Sequence, residues 1–306
     1  MPIQDLEITM NTKIKSTVLA VAVAGLASMV ALPAIAATTF ESITLGAASN
    51  LTIFNMGATQ FSASNSGTYF EGNAGLASGA STHFSGGGTL TGALVKDPAA
   101  TVQANLASQF NVLGGVQTTS LAQAVSDVTA ASQNAALLAP TQTYSGNLTN
   151  GQSFSSTGQF NVVGINGNVT VTNPSKNITF SGGVNDYFIV NVSGSLSVSN
   201  GSIGLAGGLT PDHVLFNVLG GDISLSNSTS SLYGTYLDVN HAINLTPGSV
   251  FGAVMGNQIH TSSGPNVYAD IYTAPVPEPE TYAMILSGLG LMGFVARRRK
   301  QVQELA

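Results

Sequence analysis

The chain has 306 residues, 8 Lys and Arg against 14 Asp and Glu, a net charge of −6, and only 7% charged residues. Four of its cations sit in one run, Arg297-Arg298-Arg299-Lys300, so too few remain for a phosphate-binding surface and a nucleic-acid binder is excluded. The absence of Cys excludes a disulfide scaffold, a thiolate zinc site and a cysteine nucleophile.

Residues 1–36 read as a signal peptide. Lys13 and Lys15 form a positive start, Thr17 to Leu32 is an apolar run, and Ala34-Ile35-Ala36 supplies the small residues that signal peptidase accepts, with cleavage expected after Ala36. Asp5 and Glu7 are unusual there, and Met10 is an alternative start. The run is short for a membrane span, which needs about 20 apolar residues.

Residues 37–274 form the expected exported body. Up to Pro275 it carries two lysines, Lys96 and Lys176, against nine carboxylates. Its dominant pattern is short alternation of Val, Ile or Leu with Ser or Thr, closed by Gly or Asn, as in Asn168-Val-Thr-Val-Thr and Ser195-Leu-Ser-Val-Ser. That pattern predicts half-buried strands, apolar inward and hydroxyl outward. Phe110-Asn-Val recurs at Phe160 and Phe216. Ser231-Leu-Tyr-Gly matches Ser249-Val-Phe-Gly at an offset of 18, and Ile223-Ser-Leu-Ser matches Ile243-Asn-Leu-Thr at an offset of 20. A period near 20 fits one coil of a β-solenoid, with Gly234 and Gly252 turning the same corner. An antiparallel sandwich is the alternative.

Residues 118–139 break the pattern and predict one helix. They contain no Gly and place Leu121, Val125, Val128, Ala131, Ala135 and Leu138 on one face, with Ser120 as cap and Pro140 as stop. A lone amphipathic helix in a β-rich chain is expected to cover a sheet face or end. The fold expected is therefore an all-β solenoid with one flanking α-helix, an N-terminal signal helix and a C-terminal transmembrane helix.

The helix, Asn185-Asp-Tyr-Phe-Ile-Val-Asn-Val, Asp212-His-Val-Leu-Phe-Asn-Val, Leu232-Tyr-Gly-Thr-Tyr-Leu and Gly248-Ser-Val-Phe-Gly-Ala-Val-Met-Gly together resemble the choice-of-anchor A domain family. The resemblance implies an exported bacterial β-solenoid with a flanking helix, similar to ice-binding bacterial proteins, and no established activity.

Chemistry-bearing groups are sparse. Asp238, His241 and His260 are a candidate metal set, because one coil separates the two histidines; the alternative is two exposed turn residues. Asp212-His213 lacks an accompanying nucleophile elbow. Asp222 and Asp238 are a carboxylate pair by proximity alone. No catalytic residue and no cofactor is assigned, so an enzyme is not expected. Seven Asn-x-Ser/Thr triplets, at Asn50, Asn147, Asn168, Asn177, Asn191, Asn227 and Asn244, read first as strand starts and second as glycosylation sites.

Residues 275–306 carry three features in order. Val276-Pro277-Glu278-Pro279 is extended, Thr281 to Ala296 is an apolar helix candidate, and Arg297-Arg298-Arg299-Lys300 closes it. Sixteen helical residues reach roughly 24 Å, short of the hydrocarbon core, and the basic cluster is expected to stay cytoplasmic. This end resembles the PEP-CTERM sorting signal of Gram-negative bacteria. The resemblance implies an inner-membrane tether, recognition by an exosortase, removal of the tail, and association with exopolysaccharide-producing, biofilm-forming cells.

Two functions fit. One is a structural or adhesive surface protein displaying Ser, Thr, Asn and Tyr to a matrix. The other is a binder of ice or of a polysaccharide surface, for which Thr170-Val-Thr172 is a hint although no regular Thr-x-Thr array recurs in consecutive coils. An extracellular hydrolase ranks last.

Overall fold

The computed structural model describes residues 39–64, 67–149, 151–226, 231–275 and 286–292. The expected signal peptide with Ala34 and Ala36, the motif Val276 to Pro279 and the cluster Arg297 to Lys300 lie outside the described residues.

The protein is mostly β, and every strand pairing is parallel. Each turn of the chain lays one short strand into each of three adjoining stacks. The first stack runs, in spatial order, Gln142–Ser145, Phe160–Asn166, Tyr187–Val192, Val214–Val218, the start of Thr235–Leu245, the start of Val254–Ser262, Leu51–Asn55, Asn73–Leu76, Leu94–Lys96 and Val116–Thr118. A second holds Val169–Val171, Leu196–Val198, Ile223–Leu225, the ends of Thr235–Leu245 and Val254–Ser262, then Gln60–Ser64 and Ser81–Ser85. The third runs from Ser153–Ser155 through Ile178–Ser181, Ile203–Ala206, Ser231–Tyr233, Ser249–Phe251, Asn266–Tyr268, Thr68–Phe70 and Gly88–Leu90 to Asn111–Val112.

The spatial order is not the chain order. The first coil, residues 51–70, sits against the last, residues 254–268, through Ile53 opposite Val254, Ser62 opposite His260 and Phe70 opposite Val267. The chain starts in the middle, winds out to Val116–Thr118, crosses back and winds in again from Gln142. The long helix makes the crossing over Ala122–Leu137, which matches the expected helix apart from its frayed ends. Gly234 and Gly252 do turn the same corner. Gly252 has φ +153°, and a Cβ there would lie 1.9 Å from the Gly234 carbonyl oxygen, so only glycine fits. The offsets of 18 and 20 are strand registers, Ser231 opposite Ser249 and Ile223 opposite Ile243.

Period-2 alternation sends one set of side chains into a common core that includes Phe61, Phe70, Phe84 and Phe110 at one end and Phe154, Phe180, Phe188, Phe216 and Tyr236 at the other. The first stack is apolar on both sides. Its outward Val162, Ile189, Leu215, Leu237, Met255 and Phe54 pack with the helix residues Ala124, Val128, Ala131 and Ala135 and with Phe40, Ile43, Leu45 and Tyr272. Small alanines let the helix approach closely. Polar bonds fix its register: Asn217 Nδ2 donates to the Ser132 carbonyl at 2.9 Å, Ser132 Oγ donates to Asn217 Oδ1 at 2.6 Å, and Asn191 Nδ2 donates to the Ala135 carbonyl at 2.7 Å.

Two expectations are corrected. Ser120 Oγ accepts the Ala122 N–H at 3.4 Å, but Ser120 does not occupy the helix cap position. Leu121 holds that position without a side-chain cap, and its N–H donates to Asp97 Oδ2 at 3.2 Å. The Phe-Asn-Val recurrences are not equivalent positions, because Val163, not Phe160, shares a row with Val190 and Phe216. The expected C-terminal transmembrane helix, 281–296, is described only over residues 286–292, which are helical with Leu286, Leu289, Leu291 and Met292 exposed; the rest of it lies outside the described residues, among which no helix is long and apolar enough to cross a membrane.

Candidate functional site

With the first stack covered by the helix, the outer faces of the other two carry the accessible chemistry. On the second, inward Val, Leu and Ile leave Ser and Thr outward. Register then lines them up across coils. One row reads Thr170, Ser197, Ser224, Asn244, His260, Ser62 and His83. Two residues further along each strand a second row reads Thr172, Ser199, Ser226, Thr246, Ser262, Ser64 and Ser85. Its register is fixed by Ser64 opposite Ser262 and Ser85, and by backbone bonds from Ser199 to Val171, Ser226 to Val198 and Thr246 to Leu225 at 2.7–2.9 Å. Hydroxyls therefore repeat about every 4.8 Å across strands and roughly 6.6 Å along them.

The second row is hydroxyl at every position, yet sequence reading misses it. Its members are Ser and Thr mixed, and Ser64 and Ser85 come from coils that precede Thr172 in the chain but follow Ser262 in space. The signal present in the sequence is the Ser or Thr that ends each strand pattern.

The corners between stacks are held by side chains of Asn and Asp. Asn147 accepts from the Asn168 N–H at 2.8 Å, Asn168 from Ser195 at 2.9 Å, Asn177 from Ser202 at 2.9 Å and Asp222 from Ala242 at 3.1 Å. Asn at a strand start thus links one coil to the next. Asn191 differs, being spent on the helix, and Asn227 lies outside the described residues.

The candidate metal set is not assembled. Asp238 and His241 do meet, with Oδ1 3.0 Å from Nδ1, and the same oxygen accepts the His241 and Asn240 N–H groups at 2.9 and 3.3 Å. His260 stands opposite Asn244 on the hydroxyl face, its Nδ1 2.8 Å from Ser62 Oγ. Among the described residues no three His, Asp or Glu side chains gather to hold a metal. Asp238 is fully buried, its Oδ2 has no partner, and burial raises its pKa against the lowering effect of His241. Asp222 is spent at a corner, so the two carboxylates do not face one site. Asp212 and His213 lie in a 3-10 turn, not a strand, and His213 stacks on Tyr187 at 4.0 Å.

The third stack presents a different outer surface. Tyr233, Phe251 and Tyr268 stack in successive strands at centroid distances of 5.1 and 4.7 Å, and Tyr69 follows at 5.8 Å.

Stacked parallel strands, a helix laid along one stack and outward hydroxyls on another describe a class of parallel-β folds, and comparison with known proteins adds a family. The chain belongs to the ice-binding-like family, which matches residues 55–262. This replaces the expected choice-of-anchor A membership. Residues 275–300 match the PEP-CTERM protein-sorting motif. Similar solved structures include an ice-binding protein from an Antarctic Biological Consortium (18% identity, TM-score 0.51, covering 74% of this chain and 90% of that one). Others are an ice-binding protein of an Arctic yeast (18%, 0.51, 78% and 98%) and that of the Antarctic ascomycete Antarctomyces psychrotrophicus (18%, 0.51, 76% and 98%). At this identity the likeness concerns the fold. A search of the curated proteins found no match.

Proposed function

We propose that this chain is a β-solenoid that binds an ordered polar surface, ice foremost, through its hydroxyl face, and that its tail sorts it to the cell exterior. The reading rests on one observation above all: the unbroken hydroxyl row Thr172, Ser199, Ser226, Thr246, Ser262, Ser64 and Ser85. Strands in adjacent coils hold such groups at one repeat without any ligand present, so the entropy of ordering them is met in folding. Family membership and the likeness to solved ice-binding proteins support ice as the surface. Serine lacks the methyl of threonine and turns more freely, so the activity expected is modest.

Signal peptidase removes residues 1–36 in this reading, an exosortase-type enzyme acts on the tail around Val276 to Pro279, and the apolar segment with Arg297 to Lys300 is a temporary inner-membrane tether. The PEP-CTERM match supports the exosortase step. A cell-surface or exopolysaccharide-associated adhesive role is the second reading, favoured by the same sorting motif.

Thermal hysteresis and ice-recrystallisation inhibition on the purified protein test the proposal. Both are expected in the native chain and lost in Ser226→Lys/Thr246→Lys, which sets two charged, mobile side chains on the lattice while leaving the inward residues intact. An inert native protein, or a fully active variant with unchanged circular dichroism, contradicts it.

A further inference from the structure

The third stack holds a second surface that the ice reading does not use. Tyr233, Phe251 and Tyr268 form a half-exposed row of rings over three successive strands, and Tyr69, on the next strand, stands opposite Asn266 in the neighbouring row with its ring 5.8 Å from that of Tyr268. Beside it on the same outer face run Ser231, Ser249 and Asn266, in mutual register. The two rows lie about 6.6 Å apart, two residues along each strand. Ring stacked on ring, the aromatic row forms an apolar ridge, and the neighbouring row offers hydroxyl and amide groups. Charge narrows the ligand. Glu71 donates its N–H to the Val267 carbonyl at 2.9 Å and so continues the column of Tyr268. Asp270 lies close enough to Glu71 and Asp212 to feel both. Neither body lysine stands at this surface: Lys96 Nζ donates to the Asp97 and Ala100 carbonyls, and Lys176 precedes Ile178–Ser181, two strands from Ser231–Tyr233. A polyanion is repelled there and finds no cation.

We propose that this surface binds an uncharged carbohydrate chain lying along the row of rings. Such a chain offers C–H surface to the apolar ridge of rings and hydroxyls to the Ser/Asn row. It carries no charge to be opposed by Glu71 and Asp270.

Affinity electrophoresis of the purified chain through native gels containing hydroxyethylcellulose (uncharged) or polygalacturonate (anionic) tests this. Retardation by hydroxyethylcellulose alone is expected, weakened roughly tenfold in Phe251→Ala/Tyr268→Ala and unchanged in Ser226→Lys/Thr246→Lys. Because the ring variant can lose its fold, nitration of the native chain by tetranitromethane is the second readout. The uncharged polymer is expected to protect Tyr233 and Tyr268 and leave Tyr144 reactive. No retardation by the uncharged polymer, retardation by the anionic one only, or nitration of Tyr233 and Tyr268 unaffected by the polymer overturns the proposal. Ice activity is measured on separate samples, so failure here leaves the hydroxyl-face reading standing, and the reverse.

Discussion

Single residues in this molecule act chiefly by where register puts them. Asp238 is the strongest case. Its carboxyl is buried and titrates above the ordinary carboxylate range because desolvation outweighs the bonds from His241 and Asn240. The folded state therefore keeps a proton that the unfolded state has released. The stability from this group is complete below about pH 4 and is lost as pH rises from there through the raised folded value. Asp238→Asn keeps the acceptor for three bonds and removes the ionisation. Its thermal midpoint is expected to exceed that of the native chain at pH 7 by roughly 1 kcal/mol in stability, with the gap closing at pH 4. A lower midpoint for the variant at pH 7 contradicts this and assigns the corner to an ionised Asp238–His241 pair. Gly252 is the second case. A Cβ facing the Gly234 carbonyl cannot be accommodated without moving a coil, so Gly252→Ala is expected to cost about 2 kcal/mol or more, read as a shift in the denaturant midpoint.

At the scale of elements, the helix shows how pattern and contact divide the work. Its alanine stripe is enough to aim Ala122–Leu137 at the apolar stack, but a stripe of small residues slides easily. Asn217, Asn191 and Ser132 stop the slide, since each bond is lost if the helix moves by a turn. Asn217→Leu leaves the Ser132 carbonyl and hydroxyl without these partners inside a closed interface and is expected to cost about 2–3 kcal/mol. Urea denaturation measures it, and a cost near zero would mean that alanine packing alone sets the register. The helix and its place on a sheet face were legible in the sequence from period and Pro140, whereas its register was not, because Asn191 reads as a strand-start asparagine and Asn217 only as part of the Phe-Asn-Val recurrence. The strands were legible through Val/Ser alternation and the 18- and 20-residue offsets. Those offsets compare neighbouring coils, so they are silent about coils far apart in the chain.

For the whole molecule the decisive feature is the join between residues 51–70 and 254–268. No local pattern announces it; it follows only once both ends of the stack are built and the helix has carried the chain from one to the other. The join makes the surface continuous. Without it the hydroxyl row would end at Ser262; with it, Ser64 and Ser85 extend it. That is also why the Thr-x-Thr search along the sequence found a fragment at Thr170 and Thr172 and no array. The metal set failed for a related reason: a separation of one coil between His241 and His260 counts residues, whereas the extra residues between Asp238 and Ala242, opposite Gly256 to Gln258, shift the register so that His260 falls opposite Asn244. The most direct measurement is uptake of the fluorescently labelled protein into a slowly growing single ice crystal, native chain beside Ser226→Lys/Thr246→Lys. Incorporation of the native chain on defined planes and exclusion of the variant is the result predicted here. Exclusion of both, or equal incorporation, would contradict recognition through the hydroxyl face.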